Sequence, residues 1–116
     1  MTPEMKARIA LFVEKLQAMH DAEFAEKYPN LVSDLITTQP GRKYIRVVCN
    51  RRYRDSNGSV TSNGGSVYCF INAENGDILK AEGWKKPAAG KRGSIFNENC
   101  DVGVKATMYG SGLYAR

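Results

Sequence analysis

The sequence predicts an α+β protein in which N-terminal helices pack on a small, mostly antiparallel β-sheet. Three observations predict this. Apolar residues recur at helical spacing through the first third of the chain, the period changes to two from residue 42, and turn signals then separate short runs of strand-forming residues. Residues 1–116 are expected to form one domain, with a helical part over 1–38 and a β-rich, basic part over 42–116.

Thr2-Pro3-Glu4 opens the first helix. Thr can cap it, Pro suits the first helical position, and Glu favours the positive end of the helix dipole. Met5, Ile9, Phe12, Leu16 and Met19 follow at steps of four, three, four and three, drawing one apolar stripe that Ala10 and Val13 widen. Asp21 is expected to cap a second short helix carrying Phe24 and Tyr28 and closed by Pro29. Leu31, Val32, Leu35 and Ile36 add an apolar patch to this helical part before Gln39-Pro40-Gly41 breaks the chain.

Tyr44 to Tyr53 is rich in β-branched and aromatic residues and reads as a strand. A polar loop bracketed by Asp55–Ser59 and Ser62–Gly65 leads to a second strand, Ser66 to Asn72. Asn75-Gly76 signals a hairpin, and Asp77 to Ala81 returns as a third strand. Gly83 to Gly93, with its Gly, Pro and Lys residues, is expected to be an ordered loop pinned by Trp84. Val102–Lys105, Thr107–Tyr109 and Leu113–Ala115 offer one or two closing strands.

Composition narrows the function classes. With 116 residues, 42% hydrophobic and 25% charged, the chain can bury a core without disulfides or a structural metal. Its longest apolar run, Ile9 to Val13, is too short for a bilayer, and no secretory signal is expected. Cys49, Cys69 and Cys100 are an odd set without a Cys-x-x-Cys pair, which fits a reducing compartment and matches no zinc module. No cofactor, metal or membrane is expected, and no catalytic residue is assigned. His20 is the single histidine, and a Cys–His pair would need a strand cysteine beside it, whereas the strand pattern turns Cys49 and Cys69 into the core.

The net charge of +5 is unevenly spread: residues 1–38 carry four basic and six acidic residues, so the positive excess belongs to the rest. Arg42, Lys43, Arg46, Arg51, Arg52 and Arg54 fall in one stretch with no acid, and Lys80, Lys85, Lys86, Lys91 and Arg92 in another with Glu82 alone. Such clustering is the footprint of a polyanion binder. Alternation along the strands sets Ile45, Val47, Cys49, Val67, Cys69 and Ile71 on one face, where the helix stripe would pack. The other face then carries Tyr44, Arg46, Arg52, Arg54, Tyr68 and Phe70, a surface on which unstacked bases can lie while guanidinium groups meet phosphates. A second layer over this face, from the Trp84 loop or another subunit, is the competing arrangement. Trp84-Lys85-Lys86-Pro87 with Gly90-Lys91-Arg92-Gly93 is a further phosphate candidate, although its glycine spacing is not that of a P-loop.

The segments Val67-Tyr68-Cys69-Phe70-Ile71, Gly76-Asp77-Ile78-Leu79-Lys80, Gly83-Trp84-Lys85-Lys86-Pro87-Ala88, Arg92-Gly93-Ser94-Ile95-Phe96 and the ending Gly112-Leu113-Tyr114-Ala115-Arg116 together resemble a group of small, uncharacterised proteins of tailed bacteriophages. The resemblance covers about residues 43–116 and carries no activity or site residue. It implies a product of the bacterial host cytoplasm or the virion. The expected partners are therefore nucleic acid, further copies of the chain, or a host or virion protein. The leading expectation is a small basic protein that binds single-stranded nucleic acid through Arg42, Lys43, Tyr44, Arg46, Arg52, Arg54, Tyr68, Phe70, Trp84, Lys85, Lys86, Lys91 and Arg92. The alternative is a homo-oligomeric virion component whose C-terminal strand is exchanged between subunits.

Overall fold

A computed structural model describes residues 2–102, the side chain of Asn63 excepted. The strands expected within 103–116, and with them the exchanged C-terminal strand, lie outside the described residues. One long helix, α1 (Pro3–Lys27), precedes five strands: β1 (Leu35–Pro40), β2 (Tyr44–Arg54), β3 (Val60–Asn72), β4 (Asp77–Ala81) and β5 (Pro87–Ser94). A 3-10 turn follows at Glu98–Asp101. The strands form one antiparallel sheet in the order of the sequence, so every connection is a hairpin. This is the expected α+β architecture, with one helix in place of several.

Thr2 caps α1 through its Oγ1, which accepts from the Met5 amide at 3.1 Å. Asp21 does not begin a new helix. No breaker separates Met19 from Asp21, and Gln17 Nε2 donates to Asp21 Oδ1 at 2.9 Å one turn along the same helix. The helix ends where Pro29 forces the preceding Tyr28 out of helical geometry. Leu35 and Ile36 are not helical either: Ile36 pairs with Cys49 and Thr37 with Val48, so cross-strand pairing outweighs the helix-like spacing of the patch.

The buried stripe of α1, Met5, Ile9, Phe12 and Leu16, packs on Ile45, Val47, Cys69, Ile71 and Ile78 of the sheet, with Ile95 and Cys100 closing one end. The odd-residue face is therefore the helix face, as expected, with two departures. Val47 pairs with Cys69 but Val48 pairs with Val67, so Tyr68 is an extra residue in β3. This bulge turns Tyr68 toward the helix-side core and puts Val67 opposite Val48. Cys49, the second departure, is only half-buried, and the structure brings it beside His20.

The turn at Asn75-Gly76 forms as expected. Gly76 has φ +79°, and a Cβ there would lie 2.6 Å from the Phe96 ring, so both conformation and space require glycine. The segment Gly83–Gly93 is not only a loop: its second half is β5, an irregular strand at one edge of the described sheet, in which Leu79 pairs with Lys91 and Ala81 with Pro87. An edge tolerates Pro87 and the positive φ of Gly90, which is why a sequence so poor in strand formers still pairs. β1 is the other edge of the described sheet and ends in Pro40.

Candidate nucleic-acid interface

The expected interface residues fall into two groups at opposite ends of β2, separated by about 30 Å if the strand is fully extended. At the first end, β2 begins beside the Trp84 turn. Arg46 pairs with Gln39 and Phe70 across the sheet, and its side chain closes over the face away from α1. Its Nε donates to the Trp84 carbonyl at 2.7 Å, and its Nη1 donates to Gln39 Oε1 at 2.7 Å. The guanidinium lies 4.9 Å from the Trp84 ring centroid and 5.8 Å from that of Phe70. Tyr44 meets Phe70 edge-on at 6.3 Å, and Lys43 Nζ sits 5.6 Å from the Tyr44 ring. A shallow cavity of about 230 Å³ there gathers Arg42, Lys43, Tyr44, Arg46, Phe70 and Lys85.

Two of the expected stacking rings are not open to solvent on this face. Phe70 is 3% exposed and forms the floor under Arg46 and Tyr44. Tyr68 is on the opposite face because of the bulge, and burial beside Cys69 and Cys49 pushes its phenol far above the usual range. Half-buried Tyr44 remains, as does Trp84, 44% exposed with one face on Arg46. The Trp84 turn is thus a partial second layer over the aromatic face. Lys85 and Lys86 are exposed beside it, and Lys86 reaches Glu82 only at 3.9 Å. Lys91 and Arg92 belong to β5 rather than to a phosphate loop, and Lys91 Nζ lies 3.4 Å from Asp77.

At the second end, Arg52 and Arg54 border a larger cleft, about 600 Å³, where the end of α1, the segment after it and the end of β2 converge. Phe24 and Tyr28 contribute rings 5.3 Å apart, and Tyr53, Arg51 and exposed Leu31 complete the wall. Asp34 is the one acidic residue among the lining. Arg52 is anchored, its Nε donating to the Ser33 carbonyl at 2.8 Å and its Nη2 to Ser33 Oγ at 3.2 Å. Arg51, Tyr53 and Arg54 are exposed. Phe24, Tyr28 and Tyr53 are not among the interface residues expected from the sequence, and Arg51 enters there only through the charge of its stretch. The signal was present: Leu16, His20, Phe24 and Tyr28 continue the helical stripe in steps of four once α1 is read as a single helix.

Among the described residues, no helix is long and apolar enough to cross a membrane. No curated protein and no solved structure matches the chain. A family model described as a family of unknown function, DUF7717, matches residues 2–115. That match takes in α1 and the whole sheet, and the chain belongs to this family.

Proposed function

We propose that the protein binds single-stranded nucleic acid, with the cleft between the end of α1 and the end of β2 as the principal site. The observation that carries this reading is the cleft's composition: three arginines and three aromatic rings line one open space with a single carboxylate. Guanidinium groups can neutralise phosphates, and an exposed ring such as Tyr53, 46% exposed, offers a π-face that any unpaired base can use. The Tyr44–Trp84 end of the same strand supplies a second basic and aromatic patch, so a strand of nucleotides could follow β2 from one to the other. The resemblance to tailed-phage proteins supports a product of the infected bacterial cytoplasm, where single strands arise during replication and three free thiols are at home.

Fluorescence anisotropy with a short labelled oligonucleotide, at several salt concentrations, tests the reading. Single strands should bind more tightly than the matching duplex, because paired bases cannot enter the cleft, and affinity should fall steeply with salt. Absence of binding at low salt would overturn it.

A further inference from the structure

His20 lies at the end of the buried stripe of α1, only 2% exposed, and neither ring nitrogen has a hydrogen-bond partner. A buried imidazole left unmet on both sides is an exception that requires a cause. Two further donor groups face it. Asp34 Oδ2 is 3.8 Å from His20 Nδ1, beyond hydrogen-bond reach, and Cys49 Sγ donates to that same Oδ2 at 3.4 Å. One ligand atom from each residue lies within 4.8 Å of the other two. We propose that His20, Asp34 and Cys49 are a three-ligand site for a divalent transition metal of the zinc type.

The spacing comes near what that ion needs. Bonds of about 2.0–2.3 Å to nitrogen, oxygen and sulfur in a tetrahedron put ligand atoms about 3.3–3.8 Å apart. The Asp34 separations from Cys49 and His20 already match, and bringing the remaining pair to that distance needs at most a shift of about 1–1.5 Å. One imidazole, one thiolate and one carboxylate form a mixed donor set of the kind zinc accepts. On binding, the metal takes a sulfur lone pair of Cys49 and the thiol proton leaves to solvent. The Asp34 carboxylate and the new thiolate then balance the dication, while His20 binds as neutral imidazole.

The surroundings hold the ligands in place. Gln17 Nε2 donates to the Asp34 carbonyl at 2.8 Å, and Gln17 Oε1 accepts from the Ile36 amide at 2.8 Å, fixing the Asp34 segment against α1. Arg52 holds the adjacent Ser33 from the other side. A cavity of about 320 Å³ lined by Asp34, Cys49, Arg51, Gly64, Gly65 and Ser66 reaches two of the three ligands from solvent. It gives the ion an entry path and leaves the fourth position to water or a small ligand.

A nucleophilic Cys–His–Asp relay would need the thiol to donate to the imidazole, with the carboxylate on the other nitrogen. Cys49 instead donates to Asp34, and burial together with that carboxylate pushes its thiol up to about 12, the reverse of an activated nucleophile. The three donor atoms form a triangle rather than a line. The metal reading stands independently of nucleic-acid binding.

Cobalt(II) titration of the full metal-free chain, followed by zinc(II), tests the site. One cobalt per chain is expected, with intense tetrahedral-type visible absorption and a near-ultraviolet sulfur-to-cobalt band, both displaced by zinc. Cys49→Ser should abolish the sulfur band and weaken binding by ~100-fold, and Asp34→Asn should weaken it ~10–100-fold. Both substitutions nearly preserve shape, and circular dichroism checks their folding. Failure of the sulfur band to appear, or its survival in Cys49→Ser, would each overturn the proposal.

Discussion

Arg46 holds the Trp84 turn twice, donating from Nε to the Trp84 carbonyl at 2.7 Å and lying 4.9 Å from the centre of its ring. A side chain that the sequence offers as a phosphate contact therefore fastens the turn between β4 and β5 to β2. Arg46→Ala should destabilise the fold by ~1–3 kcal/mol through the loss of two charge-assisted hydrogen bonds and a stacked cation. Arg46→Lys should recover little, because an ammonium cannot reproduce the planar fork. Urea unfolding measures the loss. Trp84 is the single tryptophan of the chain, so its emission should shift to the red as the turn loosens. Unchanged stability and emission would show that the clasp does not hold.

In the cleft, Tyr53→Ala should cost ~1–3 kcal/mol of single-strand affinity with little change in salt slope. Arg51→Ala and Arg54→Ala should each lower the slope by about one phosphate contact. Tyr68→Phe should leave affinity unchanged, since that ring faces the core. Anisotropy titrations separate the three outcomes, and equal losses at Tyr53 and Tyr68 would count against the cleft.

Gly76→Ala should destabilise by at least ~1–2 kcal/mol, the cost of a side chain at positive φ, with the Phe96 ring adding to it. Thermal unfolding of the variant checks this. A neutral result would mean that the turn relaxes away from Phe96.

Alkaline pH should weaken the fold through its buried thiols. Burial raises Cys69 and Cys100 above the ordinary thiol value near 9, so the unfolded chain releases these protons first. Their effect is absent well below pH 9 and grows above it, by at most about 1.4 kcal/mol per pH unit for each thiol. The slope of stability against pH between 8 and 10 should therefore flatten in Cys69→Ala, whatever that variant loses in absolute stability. An unchanged slope would exclude Cys69 as a contributor.

Elements with strong local signals were legible in the sequence. The stripe from Met5 to Leu16, the alternation of Tyr44 to Tyr53 and the Asn75-Gly76 turn each follow from spacing or a special backbone need, and each is present. What was not legible depends on partners distant in the chain. Leu35 and Ile36 look helical until β2 pairs with them, and Pro87 to Ser94 becomes a strand only because β4 offers an edge. The bulge at Tyr68 has no residue signature, yet it moved one expected stacking ring to the wrong side of the sheet. The cleft depends on Asp21, a residue suited to capping, lying inside α1, which joins Phe24 and Tyr28 to the stripe. His20 and Cys49 are 29 positions apart, and only the packing of α1 across β2 brings them together.

Pro40 and Pro87, one in each outermost strand of the described sheet, bear on how this chain behaves when crowded. A bare strand edge recruits any passing chain that can continue its ladder, and a proline removes one of the amides such a ladder would use. Gly90 adds a left-handed kink to the second edge. Both devices guard the described edges against growing edge to edge into fibres. At these two described edges backbone pairing is disfavoured, which leaves faces and loops as the surfaces where geometry rather than backbone stickiness selects a neighbour.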